Sequence, residues 1–474
     1  MIRNFIMDEQ LHYVAVFLLH IFDFFLLIWY NLLYIMENLD YAIDILKRLG
    51  SSSYIVGGAV RDYLLCKDVY DIDICTAKKP DEIINLLSDY ELDTKFMKYG
   101  SVKIKGENAI EITTFRREDD YADGRHPSTL SFTSDVKEDL IRRDFTINTM
   151  LMDESKNIYD YMDAKKDLDA KILRTVIDPY ESFAKDYLRI LRLVRFAAKL
   201  GFEIEEETFK AAKKYAPFIK TLSKDKFREE FNKILLLDNA HYAFTLMHEL
   251  GILKEVLPEI DNEFDYDQNN PYHSYDLFTH TMKAVEATEK DLPTRLAALF
   301  HDVAKPLTRS EDGDISHYYD HDKVGAEMAI DILKKFNYDK KTINLVHDLI
   351  LKHMKQDPNF GIKAVRRLYN YYGKDNIYRY LDLIRADTIA TRPGRELDNI
   401  TKFETYIKEI EDSLDKSGEL KLAVSGDDLI AMGYAPGKKF AYVLGKIKEM
   451  VSLGELENDR EILLPLLKEY MEEE

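Results

Sequence analysis

The chain has 474 residues, of which 46% are hydrophobic and 32% charged, and its formal net charge is −20. That length calls for more than one domain with a sizeable core, and the acidic balance excludes a generic polyanion binder, leaving nucleic acid only a local basic surface. The two cysteines, Cys66 and Cys75, exclude a disulfide framework and a cysteine zinc site and fit a reducing cytoplasm.

Residues 1–35 stand apart from the rest. "YVAVFLLHIFDFFLLIWYNLLYIM", Tyr13 to Met36, is almost wholly apolar and long enough to cross a bilayer. His20, Asp23 and Asn31 interrupt it, and Asp23 would be costly in lipid. A small-residue cleavage site is lacking, which argues against a signal peptide. The favoured reading is an over-long start upstream of Met36, where "MENLDYAIDILKRLG" opens an amphipathic helix. A membrane anchor comes second and a hydrophobic packing helix third. Membrane contact follows only if residues 1–35 are genuine.

From about Asn38 to Asp160 short strands alternate with helices. "SYIVGG", "YDIDICT", "KYGSVKIKG" and "NAIEITTF" read as strands by alternation and β-branched content. "PDEIINLLSDY" reads as a helix opened by Pro80. From Pro179 onward the periodicity is almost only helical, as in "SFAKDYLRILRLVRFAAKLGF". "EFDYDQNNPYHSYD" (Glu263–Asp276) and "TRPGREL" (Thr391–Leu397) are turn-rich candidate junctions. The pattern is an α/β head followed by an all-α remainder.

Strand side chains alternate between faces, so Asp71 and Asp73 share one face while Ile72 and Ile74 pack on the other. Paired carboxylates repel unless a cation lies between them, and such pairs hold divalent metals against phosphate oxygens. Gly57-Gly58 ends the preceding strand and lets backbone approach a ligand closely, with a helix start behind it that favours an anion. Taken alone, most Asp-x-Asp triplets are solvated surface. Glu111, between Ile110 and Ile112, faces away from the apolar side and is a candidate third acid.

Taken together, "IVGGAVRD", "YDIDICT", "IEITTFR" and "IRRDFTINTM" resemble the class II tRNA nucleotidyltransferase and bacterial poly(A) polymerase family. The resemblance runs from about Ser53 into the C-terminal region. It implies an α/β nucleotidyltransferase head of the polymerase β type, followed by an elongated all-α neck, body and HD domain. The division expected is an apolar extension at 1–35, head at 36–165, neck at 166–220, body at 221–270, HD domain at 271–395 and helical tail at 396–474. Asp71 and Asp73 then match the Mg²⁺-binding catalytic carboxylates and Glu111 the third acid. Gly57 and Gly58 match the triphosphate turn, with Arg61 and Asp62 in the same motif. Arg142, Arg143, Asp144 and Asn148 match the ribose and phosphate motif. "FRREDDYADGRHP" (Phe115–Pro127) matches a mobile loop whose presence favours full CCA addition or terminal A addition.

In "KDYLRILRLVRF", helical spacing of about 100° per residue sets Asp186 and Arg189 within about 60° of each other. By itself that spacing reads as a helix salt bridge. The resemblance implies a base-reading pair, Asp accepting from an exocyclic amine and Arg donating to ring acceptors. Arg192 and Arg195, further round the helix, join the nucleotide-binding set. Two positions depart from the family pattern: Lys185 stands where Glu is usual, and Ser182 where Arg is common. Residues 185–233 hold 13 Lys or Arg against 8 Asp or Glu, a basic surface suited to a tRNA acceptor stem.

Downstream, His280, His301-Asp302 and Asp387 match the HD phosphohydrolase signature, with His321 and His353 as extra histidines. Such donors suit a divalent metal of unspecified identity and phosphate-ester hydrolysis. In the tail, Lys438 and Lys439 follow Pro436-Gly437 at a helix start, as an RNA phosphate contact or a solvated face. The sequence expectation is addition or repair of the 3′ CCA end of tRNA from CTP and ATP. Alternatives are an A-adding enzyme or poly(A) polymerase, and, in another class, an HD phosphohydrolase with an RNA- or nucleotide-binding head.

Overall fold

The computed structural model describes residues 38–472, apart from 70, 107, 122–126, 314, 355–360, 393, 395–396, 415–419 and 453–454. The apolar segment Tyr13–Met36 therefore lies outside the described residues. Two compact units divide between Leu222 and Ser223.

The first unit opens with a helix over residues 38–49 (α1), then β1 (Ser53–Val56), α2 (Gly58–Leu64), β2 (Ile72–Thr76), α3 (Pro80–Leu86), β3 (Leu92–Asp93), β4 (Ser101–Ile104) and β5 (Ile110–Thr114). A hairpin of β6 (Arg116–Tyr121) and β7 (Pro127–Phe132) follows, then α4 (Val136–Ile141), β8 (Leu151–Met152), β9 (Ile158–Tyr159), α5 (Ala164–Ala170) and β10 (Ile172–Leu173). Next come α6 (Pro179–Lys185), α7 (Leu188–Leu200), β11 (Glu203–Ile204) and α8 (Glu206–Tyr215). Seven strands form one sheet in the order β3-β4-β5-β2-β1-β8-β9. Within this sheet, among the described residues, only β2 and β5 pair in parallel, so the two acid-bearing strands run side by side in mid-sheet.

Each strand anticipated from alternation is present. Ile72, Ile74, Ile110 and Ile112 are buried, while Asp73 and Glu111 between them are exposed. Each such isoleucine contributes roughly 1.5–3 kcal/mol by burial, which fixes the register and turns the acids outward. Pro80 occupies the first turn of α3, where its missing N–H costs nothing.

One expectation is corrected by the backbone. The run Ser182–Phe202 is two helices, because Asp186 is extended (φ −148°, ψ 103°) between α6 and α7. Asp186 thus lies outside the helix that carries Arg189, and the 100° spacing argument does not apply to it. Within Phe115–Pro127, Arg116–Tyr121 forms β6, which pairs antiparallel with β7, and residues 122–126 lie outside the described residues.

The second unit contains α9 (Lys224–Leu235), α10 (Ala240–Glu249), α11 (Ile252–Val256), α12 (Pro258–Asp261), α13 (Leu277–Ala287), α14 (Leu292–Phe300) and α15 (Lys305–Thr308). A hairpin, β12 (Arg309–Asp312) with β13 (Ile315–Tyr318), interrupts the helical pattern. Then come α16 (His321–Lys335), α17 (Lys340–Lys352), α18 (Ile362–Thr391), α19 (Asp398–Asp412), α20 (Gly426–Ala431), α21 (Lys438–Ser452) and α22 (Arg460–Glu472). Glu263–Asp276, the candidate junction, is irregular and lies wholly inside this unit, with Glu263 and Gln268 buried. No helix among the described residues is long and apolar enough to cross a membrane.

Candidate functional site

In the first unit the acids gather at one end of the central strands. Asp73 pairs in register with Glu111 across the β2–β5 ladder. Asp71 stands just before β2 and is exposed. The Ser101 hydroxyl donates to Glu111 Oε1 at 2.9 Å. Packing around Asp73 pushes its carboxyl up to about 6, although the side chain keeps contact with solvent. The Arg143 guanidinium opposes that rise, and the Glu111 and Asp71 carboxylates add to it. Three hard oxygen donors crowded in this way fit a divalent metal, whose charge relieves the repulsion.

Gly57 has φ +80°, a left-handed conformation that side chains resist. A Cβ there would lie 3.6 Å from Arg143 Nη1 and 3.9 Å from Asp73 Oδ2, so the turn, the arginine and the acid form one wall. The first N–H groups of α2 follow immediately. Arg142 and Arg143 both bond Asp139, Nε to Oδ1 at 2.9 Å and Nη2 to Oδ2 at 3.1 Å. Burial would raise the Asp139 carboxyl, but the two arginines hold it below its usual range.

Other residues expected at the nucleotide bond to one another. Arg61 Nη1 donates to Asn148 Oδ1 at 2.6 Å, and Asn148 Nδ2 to Asp144 Oδ1 at 3.0 Å. Arg192 donates through Nε and Nη2 to Asp144 Oδ2, at 2.8 and 2.6 Å. Burial works against ionisation of Asp144, and Arg192, Asn148 and the Phe145 N–H overcome it, holding the carboxyl well below the usual range. Arg61 also pairs with Asp62 at 2.8 Å. Arg195 lies over the Phe196 ring, 4.4 Å from its centroid.

At the helix break, Asp186 Oδ1 accepts the Leu188 N–H at 3.0 Å. Arg189 is buried; its Nη1 donates to Ser182 Oγ at 2.7 Å and its Nη2 to the Arg142 carbonyl. The small Ser182, one of the two departures, thereby holds the candidate base reader. Lys185, the other, pairs with Glu181 at 2.6 Å.

The second unit contains a separate cluster. His280 Nε2 and His301 Nε2 lie 3.1 Å apart and both face Asp302 Oδ2, at 3.1 and 3.2 Å. The same nitrogens face Asp387 Oδ1 at 3.3 and 3.7 Å. His321 Nε2 lies 3.3 Å from Asp302 Oδ1. Three histidines are aimed by their own backbone: Nδ1 of His301, His321 and His353 donates to the carbonyls of Ala298, Tyr318 and Ile350, at 2.8, 2.6 and 2.6 Å. This tautomer leaves Nε2 as the ligand atom.

Among the described residues, His280, His301 and Asp302 form one three-donor group within 4.8 Å, and Asp302, His321 and His353 another, sharing Asp302. Burial pulls the His301 imidazole down, but Asp302 and Asp387 outweigh it and hold it well above its ordinary range. Burial, with His301 beside it, lowers the His353 imidazole to about 4. The donor chemistry suits a divalent metal.

Sequence reasoning missed three buried residues beside this cluster. Lys305 Nζ lies 2.7 Å from Asp302 Oδ2 and donates to Gln268 Oε1 at 2.8 Å. Glu263 is fully buried, with the Thr281 hydroxyl beside its carboxyl. Lys305 had a signal, three residues after Asp302, whereas Gln268 and Glu263 were hidden in the supposed junction.

Known proteins resemble both units. Family models for the poly(A) polymerase head domain, for the probable RNA- and SrmB-binding site of polymerase A, and for a putative tRNA nucleotidyltransferase domain 2 match residues 53–174, 201–264 and 320–467. The CCA-adding enzyme of Streptococcus pneumoniae serotype 19F (strain G54) is 31% identical over 434 residues, 90% of this chain and 96% of that one. That of Staphylococcus haemolyticus (strain JCSC1435) is 32% identical over 386 residues, covering 79% and 92%. The crystal structure of Bacillus stearothermophilus CCA-adding enzyme in complex with CTP superposes with a TM-score of 0.61 at 25% identity, covering 90% and 96%. The Thermotoga maritima CCA-adding enzyme complexed with tRNA shares the fold, with a TM-score of 0.53 at 21% identity over 90% and 95%.

Proposed function

The chain belongs to the family of CCA-adding enzymes, and on that premise we propose that it adds or repairs the 3′ CCA end of tRNA from CTP and ATP, releasing pyrophosphate. The observation that carries the reading is the Asp73–Glu111 register in mid-sheet, with Asp71 at the strand mouth and the Gly57 turn against it. Asp71, Asp73 and Glu111 would hold Mg²⁺, which supplies positive charge to the attacking oxygen and the leaving pyrophosphate. The tRNA 3′-oxygen forms the new bond to the α-phosphorus, its proton passes to solvent, and the bond from α-phosphorus to the bridging oxygen breaks. Gly57 and Gly58 admit the triphosphate, with Arg143 beside it. Arg189 donates to base acceptors and Asp186 accepts from the amine that C and A share. A cytoplasmic setting, where tRNA is found, accompanies this reading.

The deciding experiment supplies tRNA ending in the discriminator base, in -C and in -CC, with labelled CTP or ATP. Stepwise C, C and A incorporation is expected. Incorporation of A alone would make the chain an A-adding enzyme or poly(A) polymerase, and no incorporation with any acceptor would overturn the reading.

A second activity is supported by the converging Nε2 atoms and carboxylates in the second unit. His280, His301, Asp302 and Asp387 would hold a divalent metal that polarises a phosphate ester, with His321 and His353 at a neighbouring position. Release of phosphate from a nucleotide monoester, or opening of a 2′,3′-cyclic phosphate, tests it. Absence of both with Mg²⁺, Mn²⁺, Co²⁺ and Ni²⁺ would refute it.

A further inference from the structure

The chain of contacts from Arg61 through Asn148 and Asp144 to Arg192 is closed by an aromatic ring. The guanidinium carbons of Arg61 and Arg192 lie 5.2 and 5.4 Å from the Phe196 centroid, and Arg195 is a third cation at 4.4 Å. Phe196 is buried, and Phe145 meets it edge-on with centroids 5.8 Å apart. The circuit Arg61–Asn148–Asp144–Arg192–Phe196 thus joins α2, the turn at 144–148 and α7.

Its two ends meet the site from different sides. A Cβ on Gly58 would lie 3.5 Å from Arg61 Nη2, so that guanidinium lies against the triphosphate turn. Arg192 follows Arg189 on α7 by three residues, nearly one helical turn. Several guanidinium groups beside one buried position repel one another. The electron-rich ring face offsets this, more strongly where water is excluded. Leucine would fill much of the same space without offering that face, so the guanidinium groups would lose the contact that brings them to one position.

We propose that Phe196 is a positioning residue for nucleotide selection: it fixes the spacing between the triphosphate turn and the base-reading helix by holding Arg61 and Arg192 in one circuit. This rests on the nucleotidyltransferase reading above. Nothing in the sequence motifs assigns Phe196 a role; it follows Arg195 as an apolar residue of an amphipathic helix.

The test compares F196L with F196Y in the full-length chain. kcat and KM are measured for CTP on tRNA ending in -C and for ATP on tRNA ending in -CC, with UTP and GTP as competitors. With F196L, KM for CTP and ATP rises about tenfold and preference over UTP and GTP falls about tenfold, from loss of a desolvated cation–π contact. F196Y, which keeps the ring, stays within about twofold of the parent. Thermal unfolding checks the fold, and F196M replaces F196L if the leucine variant does not fold. The proposal is overturned if the aliphatic variant selects nucleotides like the parent, or if F196Y and the aliphatic variant are slowed equally for right and wrong nucleotides. Parent protein that incorporates neither C nor A overturns the functional reading instead.

Discussion

Asp73→Asn is expected to abolish nucleotide addition while stabilising the metal-free protein. The Asp73 carboxyl rises from 3.8 to about 6. At about 1.36 kcal/mol per pKa unit that rise is worth at most about 3 kcal/mol. The side chain is exposed to water, and screening reduces the figure to about 1 kcal/mol. The sign follows from proton binding: the native state holds the Asp73 proton more tightly than the unfolded chain does. Below about pH 4 both states are protonated and the substitution gains nothing. Between about pH 4 and 6 the native carboxylate becomes progressively costly, and above pH 6 the full difference applies. Thermal unfolding in EDTA at pH 7.5 is therefore expected to rise by about 2–4 °C in the variant, scored on the transition that Mg²⁺ moves in the parent. The gap closes towards pH 4, and Mg²⁺ raises the parent Tm but not the variant's. A variant that melts below the parent at pH 7.5 in EDTA, or a gap unchanged at pH 4.5, would show that the Asp73 carboxylate does not strain the metal-free fold.

Four further outcomes are expected. Gly57→Ala places a Cβ at positive φ within 3.6 Å of Arg143 Nη1; it should cost about 1–2 kcal/mol in urea unfolding and raise KM for both nucleotides. Arg189→Lys keeps the charge but loses the planar fork held by Ser182 and the Arg142 carbonyl; UTP and GTP misincorporation should rise about tenfold or more, scored by sequencing product ends. His301→Ala with Asp302→Ala should lower bound metal, measured by elemental analysis, and remove phosphate release, with C and A incorporation retained. Glu263→Leu removes a buried acid whose carboxyl is raised well above its usual range, mainly by burial. It should raise Tm by an amount corresponding to about 1–3 kcal/mol. The gain should grow with pH, because deprotonation of the parent becomes costly as pH rises; an equal gain at pH 5 and pH 8 would contradict this.

The head was legible in the sequence because its signals are local. Ile-Asp-Ile and Ile-Glu-Ile each state which side chains are buried, and period-two geometry then forces Asp73 and Glu111 onto one face. The break at Asp186 was not legible. Neither Gly nor Pro marks it, and the apolar periodicity continues through Tyr187 and Leu188. The circuit of Arg61, Asn148, Asp144 and Arg192 was hidden for another reason: each residue reads as a free ligand until three distant segments come together. Glu263 and Gln268 were missed because a polar, turn-rich composition resembles an exposed linker, whereas these two side chains are buried beside a charged cluster.

The histidine tethers carry a lesson for inheritance and design. Each of His301, His321 and His353 takes its Nδ1 acceptor from the carbonyl three positions before it. Orientation is therefore encoded in a four-residue stretch and travels with the ligand when the surrounding chain diverges. A lineage can rebuild the helices around such a cluster, or an engineer can graft it, without finding a new outer partner for these rings. What must be re-found is the place where the stretches meet, and here that place is Asp302.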